Sequence, residues 1–574
     1  MVQYELIKPV GPFGLFRIRR TSDGAIGGWV ENKENLSETG DCWIEGNAKV
    51  YGDARVSGNA LISDEAEIFG AAHVSGDAKI FGKAKVHGEA RISGNAQIFD
   101  DAEVNGSAEI KGAAIVSGQT EIYEEAKIFD NAKVHGYVKV CGTASIFENA
   151  EIEAHVSISG NAKIYGNAQL HEHVSVFGDA EIYGDVVLWD SVKVYGHATM
   201  SGTITARDDV KIYDYANLSG TLKLSNEVSV YGHSSISGTA LLSDKVQVFD
   251  TVVINGSDIK LSDDVKIYGS ANLSGAVEIK NSVEVYGSTQ IKDNVTISEN
   301  AKVYGSAQVY GFADIYGSAK VFDDAEVYET ATVYDNAEVF GSAEIYGTAR
   351  IYDSAKIYGS AKIYGNAQVF EEAEVFENTS AFANTQIYGK AKVYGGSHIQ
   401  DNVKIYGSAL VHTSGYIYQN AQIYDEAEIS DAAKIYGWAK IYGNAKVYSS
   451  AAVYSYAEVF ENARISSQAR VLDYAKIYGN ANVYGGALAM GYSKIFGNAR
   501  LYDTAYTTQH AQVYGSARVY GTAQIYGNGQ VFDEGQVYES AKVYGDAIVK
   551  EWAKVHGSYV LNGTAVADNH DDLF

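Results

Sequence analysis

At 574 residues an ordinary globular chain would hold roughly three or four domains, but fixed-period self-similarity argues for one elongated repeat body instead. A formal charge of -27 excludes a general binder of nucleic acid or of an anionic membrane, because either would need a basic face. With Pro only 2 against Gly 59, turns fall to Gly, Asn and Asp; the two cysteines, Cys42 and Cys141, stand too far apart for a disulfide framework or a metal pattern and fit a reducing compartment.

In chain order, Met1–Arg20 lacks the charged start, apolar core and small-residue cleavage site of a signal peptide. No later stretch reaches the apolar length of a membrane span. Cytoplasmic synthesis is the expectation, and carriage on a phage particle or surface would need no signal either. Residues 1–43 escape the repeat. Tyr4, Leu6, Ile7 and Val10, then Phe13, Leu15, Phe16 and Ile18, read as short strands of a small β-rich cap, with Arg17, Arg19 and Arg20 on a solvated edge. Gly27-Gly28-Trp29-Val30-Glu31, Asn35-Leu36-Ser37 and Gly40-Asp41-Cys42-Trp43-Ile44 then lead into the repeat. An open coil end exposes unpaired backbone and apolar core, so this first segment is the expected cover.

From Ile44 an aliphatic residue recurs at every sixth position to Ile254, resumes seven residues later at Leu261, and again holds the period to Ala567. The exceptions to Val, Ile or Leu are Met200, Ala206, Ala381, Ala489, Thr507 and Ala567. The run from Ile351 to Gln368 gives the rule three times over: aliphatic, aromatic, Gly or Asp, small polar, Ala, charged or amide. Strand alternation puts Ala and Ile on one face, with Lys and Tyr on the other. Gly-Asn or Gly-Ser then turns a corner at low conformational cost. Tyr195, Tyr213, Tyr231 and Phe249 repeat every third hexad, so one coil has three sides. The predicted fold is all-β: a single long triangular solenoid of 18 residues per coil, about 29 coils and about 140 Å. It spans 44–567, with a one-residue register slip at 255–260, between a cap at 1–43 and an acidic tail at 568–574. End-to-end stacking at the tail is conceivable, since no strong cap is encoded there.

The aliphatic-x-x-x-small-x hexad resembles the hexapeptide repeat of left-handed parallel β-helices, and the left hand is implied by that resemblance alone. The motif carried by Gly27, Gly28, Trp29, Leu36 and Trp43, running into Gly-Asn-Ala repeats, is similar to a family of bacterial and phage proteins labelled acetyltransferases or polymer-forming cytoskeletal proteins. Hexapeptide acyltransferases, as the resemblance implies, use a catalytic His with loops that leave the coil, and bind a coenzyme A thioester along the helix. Here the one insertion is a single residue, and His87, His135, His412 and His556 merely replace an outward Tyr. His171-Glu172-His173 lacks further ligands in sequence. Asp100-Asp101, Asp208-Asp209 and Asp263-Asp264 fall at corners, where Asp serves turn geometry. No catalytic residue, metal or cofactor is expected.

What remains is surface. Beyond Tyr304 all three outward rows become aromatic: Tyr310, Tyr328, Tyr346, Tyr364; Tyr316, Tyr334, Tyr352, Phe370, Tyr388; and Phe322, Phe340, Tyr358, Phe376, Tyr394. Rings one coil apart can stack along the axis, and rows this long exceed what soluble monomers normally expose. A neighbouring row alternates charge, as in Lys49, Glu67, Lys85, Glu103 and Glu338, Lys356, Glu374, Lys392, which fixes register. The expected function is a non-enzymatic rigid rod that self-associates or docks on another protein through these rows. The alternatives are a hexapeptide-type acyltransferase and a phage fibre or adhesin gripping glycans; nucleic acid is not an expected partner.

Overall fold

The structure is a computed structural model that describes residues 4–7, 14–256 and 258–574. Val10 and Phe13 of the expected cap strands, and Ser257 within the expected slip, lie outside the described residues. The chain divides into two units, Met1–Gly287 and Ser288–Phe574. Each is an all-β parallel solenoid with 18-residue turns, and the two hold about 30 turns between them.

The first unit opens with three antiparallel strands, β1 (Tyr4–Ile7), β2 (Phe16–Arg20) and β3 (Ile26–Val30). β3 also runs parallel to β6 (Lys49–Val50), pairing Trp29 with Lys49 and Val30 with Val50. β4 (Leu36–Gly40) is parallel to β7 (Arg55–Gly58), and β5 (Trp43–Ile44) to Leu61–Ile62. Parallel stacking therefore begins inside the segment that breaks the hexad pattern.

Asn35 joins that segment to the coil. It is 1% exposed; its Nδ2 donates to Gly52 O at 2.8 Å and Ala54 O at 2.9 Å, and its Oδ1 accepts from Glu31 N and Asn32 N. Tyr4 Oη donates to the carbonyls of Lys33 and Leu36, and burial pushes its pKa up to about 12. Of the three arginines expected on a solvated edge, Arg19 is exposed and pairs with Glu5, whereas Arg17 Nε donates to Gly27 O with its guanidinium over Trp29, and Arg20 covers Trp43. Gly27 and Gly28 permit a close approach, because a Cβ at either would collide with Ile44, and at Gly28 with the Ala48 carbonyl as well.

Past β5 nearly every hexad buries its inward small residue, most often Ala, together with its aliphatic residue; Ala565 near the end is exposed. The strands proper are short, two residues in Lys79–Ile80, which is typical. The ladder nevertheless continues outside them, through Phe81 N→Ile98 O at 3.0 Å and Lys83 N→Asp100 O at 2.7 Å. The corner residue takes a left-handed backbone, Gly82 at φ 68 and Asp100 at φ 61, which leaves its own N–H pointing along the edge. An acidic corner one turn earlier accepts it: Asp64 Oδ2 from Gly82 N at 3.0 Å, and Asp100 Oδ2 from Gly118 N at 3.1 Å. The corner acids thus do more than shape a turn.

One face of the first unit departs from regular strand. Thr205 and Ala206, Lys223 and Leu224, and Leu241 and Leu242 are consecutive left-handed residues, in the repeated runs Gly-Thr-Ile-Thr-Ala, Gly-Thr-Leu-Lys-Leu and Gly-Thr-Ala-Leu-Leu. Ala206, Leu224 and Leu242 stay buried, so the inward period survives a change of backbone. Next in the chain comes the register step: Gln247 pairs with Lys266, and Ile254 with Leu273, one residue more than a turn apart.

Strand pairing in the second unit keeps an 18-residue step from Gln290, which pairs with Gln308, to Lys542, which pairs with Val560, although Thr413 and Ser414 are again consecutive left-handed residues. At three places where Thr or Ser replaces the inward Ala, the hydroxyl donates back across the corner: Thr379 to Phe376 O at 2.8 Å, Thr385 to Phe382 O at 2.7 Å, Ser397 to Tyr394 O at 2.8 Å. The acidic tail is also laid down as strand, Asp572 against Lys554 and Leu573 against Val555, with His556 Nε2 2.7 Å from Asp572 Oδ1.

Candidate functional site

The aromatic rows of the second unit are continuous ladders, because parallel strands in register place identical hexad positions one turn apart. The longest runs unbroken over thirteen rings from Tyr316 through Tyr334, Tyr352, Phe370 and Tyr388 to Phe532, with centroids 4.7–4.9 Å apart. Tyr310, Tyr328, Tyr346, Tyr364 and Phe382 form a second, and Tyr304 through Phe322, Phe340, Tyr358, Phe376 and Tyr394 to His412 a third. A shorter ladder, Phe177 to Tyr286, lies in the first unit.

Stacking half-buries these rings, and the phenols respond. Burial raises Tyr334, Tyr358 and Tyr442 to about 12, with neighbouring phenols or Glu carboxylates adding to the shift. Tyr310 and Tyr358 donate to Glu326 and Glu374 at 3.2 Å. The charged row is paired in part: Lys49 meets Glu67 at 2.6 Å, and Glu338 holds Lys320 at 2.8 Å and Lys356 at 3.6 Å. Hydrogen bonding to Lys320 draws the Glu338 carboxyl below the usual range.

Face-to-face stacking fixes what a ladder can offer a ligand. Each interior ring has both faces covered by neighbours, so a sugar or a base finds a free ring face only where a ladder ends. Along its length the ladder presents ring edges and hydroxyls.

The most exposed aromatic series sits at a different hexad position, at a corner rather than on a side. Trp438, Tyr456, Tyr474 and Tyr492 are 51%, 49%, 45% and 53% exposed and follow one another up a single corner, with His510 stacked on Tyr492 at 5.2 Å. Sequence reading passed over them because the small polar position was assigned to turn geometry. The signal was present as four aromatics at 18-residue spacing where Asn, Ser or Thr is the rule. Just before them on the same corner, Asn366, Asn384, Asn402 and Asn420 chain their side-chain amides at 3.0–3.1 Å.

In the first unit Glu153 lies between His171, whose Nδ1 it contacts, and His135 Nε2 at 3.6 Å, and Trp189 stacks on His171 at 4.0 Å. His173 instead stacks on His155, away from His171. Among the described residues no group of three or more His, Cys, Asp or Glu is placed to hold a metal ion, and no helix is long and apolar enough to cross a membrane.

No protein-family model and no curated protein sequence matches this chain. The fold therefore stands on the repeat itself, as a β-helix repeat protein with aromatic ladders on its surface.

Proposed function

We propose that this chain is a non-enzymatic structural or interaction protein, which self-associates or docks on another macromolecule through its aromatic ladders. The observation that carries this reading is the unbroken thirteen-ring series from Tyr316 to Phe532, flanked by a corner series about half exposed. A row of ring edges repeating at strand spacing matches a partner with the same repeat over many turns, and each turn adds contact. The covered ring faces favour such a partner over a glycan held by stacking. Light scattering over a wide concentration range is the test, with rising mass expected; a constant monomer that also retains no protein partner would defeat the reading. The hexapeptide-type acyltransferase remains the reading from another class. A thermal shift with coenzyme A or its acetyl thioester separates the two, and none is expected.

A further inference from the structure

Charge along the second unit is not spread evenly. Between Lys434 and Arg500, the stretch that carries the exposed corner aromatics, eight Lys and Arg face three Asp and Glu, in a chain of net charge -27. Lys434 and Arg470 stand on the side leading to that corner, and Lys440 and Lys494 on the side leaving it. All four are exposed and have no carboxylate partner among the described residues. Among the described residues the same corner holds one further large exposed aromatic, Phe312 at 61%. Its surroundings have the opposite sign: from Phe312 to Glu344 there are eight Asp and Glu against the single Lys320, with Asp314 and Glu329 exposed beside the corner. Phe312 and Trp438 lie seven turns apart on one row, about 34 Å at strand spacing.

We infer that this corner is a self-recognition surface on which a second copy of the chain lies antiparallel. The aromatic ridge and cations of one copy then meet Phe312 and the acidic block of the other, and two-fold symmetry makes the contact twice. The axis midway between the blocks falls between Asn384 and Asn402, so the amide ladder meets its own copy, where unlike donors and acceptors can pair. A parallel arrangement in register would set cations against cations and acids against acids. Free nucleic acid suits the ridge less well, since its interior ring faces are covered. The inference rests on the self-association reading above and adds its surface, direction and register.

The test is charge reversal with complementation in the full chain. One variant carries Lys440→Glu and Lys494→Glu, the other Asp314→Lys and Glu329→Lys; Lys245 already occupies a comparable left-handed corner at φ 58. Should either fail to match the wild-type circular dichroism and melting, Lys434→Glu with Arg470→Glu, or Asp314→Lys alone, replaces it. Sedimentation should show each variant alone associating at least about tenfold more weakly than wild type. An equimolar mixture should recover association, because every contact in the mixed pair is again between opposite charges. Wild-type association that both variants retain would overturn this surface while leaving the broader reading intact. Loss without recovery on mixing would overturn the antiparallel arrangement. A wild-type chain that stays monomeric, or that binds a thymidine oligonucleotide along this ridge instead of its own copy, would overturn the inference altogether.

Discussion

Thr507 Oγ1 lies 3.1 Å from Ser493 Oγ inside the core, and both residues are fully buried. In sequence Thr507 is a flaw in the aliphatic series. In the fold it is half of a matched pair, with Ser493 standing where Ala is the rule. Thr507→Val alone should cost about 1–3 kcal/mol, since it strips a buried hydroxyl of its partner. Adding Ser493→Ala should recover most of that, and chemical denaturation of the two singles and the double measures the coupling. Equal losses in single and double would contradict the pairing.

Asn35 makes four hydrogen bonds from a fully buried position, two of them to the carbonyls of Gly52 and Ala54. Asn35→Leu should therefore release the first segment from the coil at a cost of several kcal/mol, on the order of 1–3 for each group left unpaired. Limited proteolysis should cut within residues 1–43 of the variant first, well before the coil. Identical digestion patterns would deny Asn35 this role.

The phenol ladders predict alkaline weakening. Tyr334, Tyr358 and Tyr442 have folded pKa values raised to about 12, chiefly by burial, against about 10 in the unfolded chain. The folded state holds these protons more tightly, so the stabilisation is fully present below pH about 10 and is lost as pH rises toward 12. Melting temperature should fall over that window, and tyrosinate absorbance should rise later than in a denatured control. Coincident titrations would show the rings to be open to water.

Corner carboxylates form a relay: Asp353 N donates to Asp335 at 3.3 Å, and Asp353 Oδ2 accepts from Glu371 N at 3.0 Å. Asp353→Ala should cost about 0.5–2 kcal/mol, while Asp353→Asn, which keeps an acceptor, should cost less. Hydrogen exchange at Glu371 reads the effect directly, and unchanged exchange in the Ala variant would remove the relay.

Most of the fold was legible because one six-residue rule fixes burial, corner and register together, so Ile357, Ala361 and Ile363 can be assigned inward from spacing alone. Period says nothing about backbone sign, which is why Leu224 and Leu242 keep their inward place on an unforeseen left-handed path. The role of Asn35 was invisible for a related reason: its partners are main-chain N–H and carbonyl groups, which carry no sequence label. The Tyr316 row was found because it repeats a rule. The ridge from Trp438 to Tyr492 was missed because it breaks one.

The side-chain caps also have a direction. Asp335 serves Asp353 and Asp353 serves Glu371, each carboxylate satisfying an N–H that comes later in the chain. A chain emerging from the ribosome consequently meets, at these acidic corners, an acceptor already in place. Growth can proceed as on a template, with the newest layer reading its register from the one beneath.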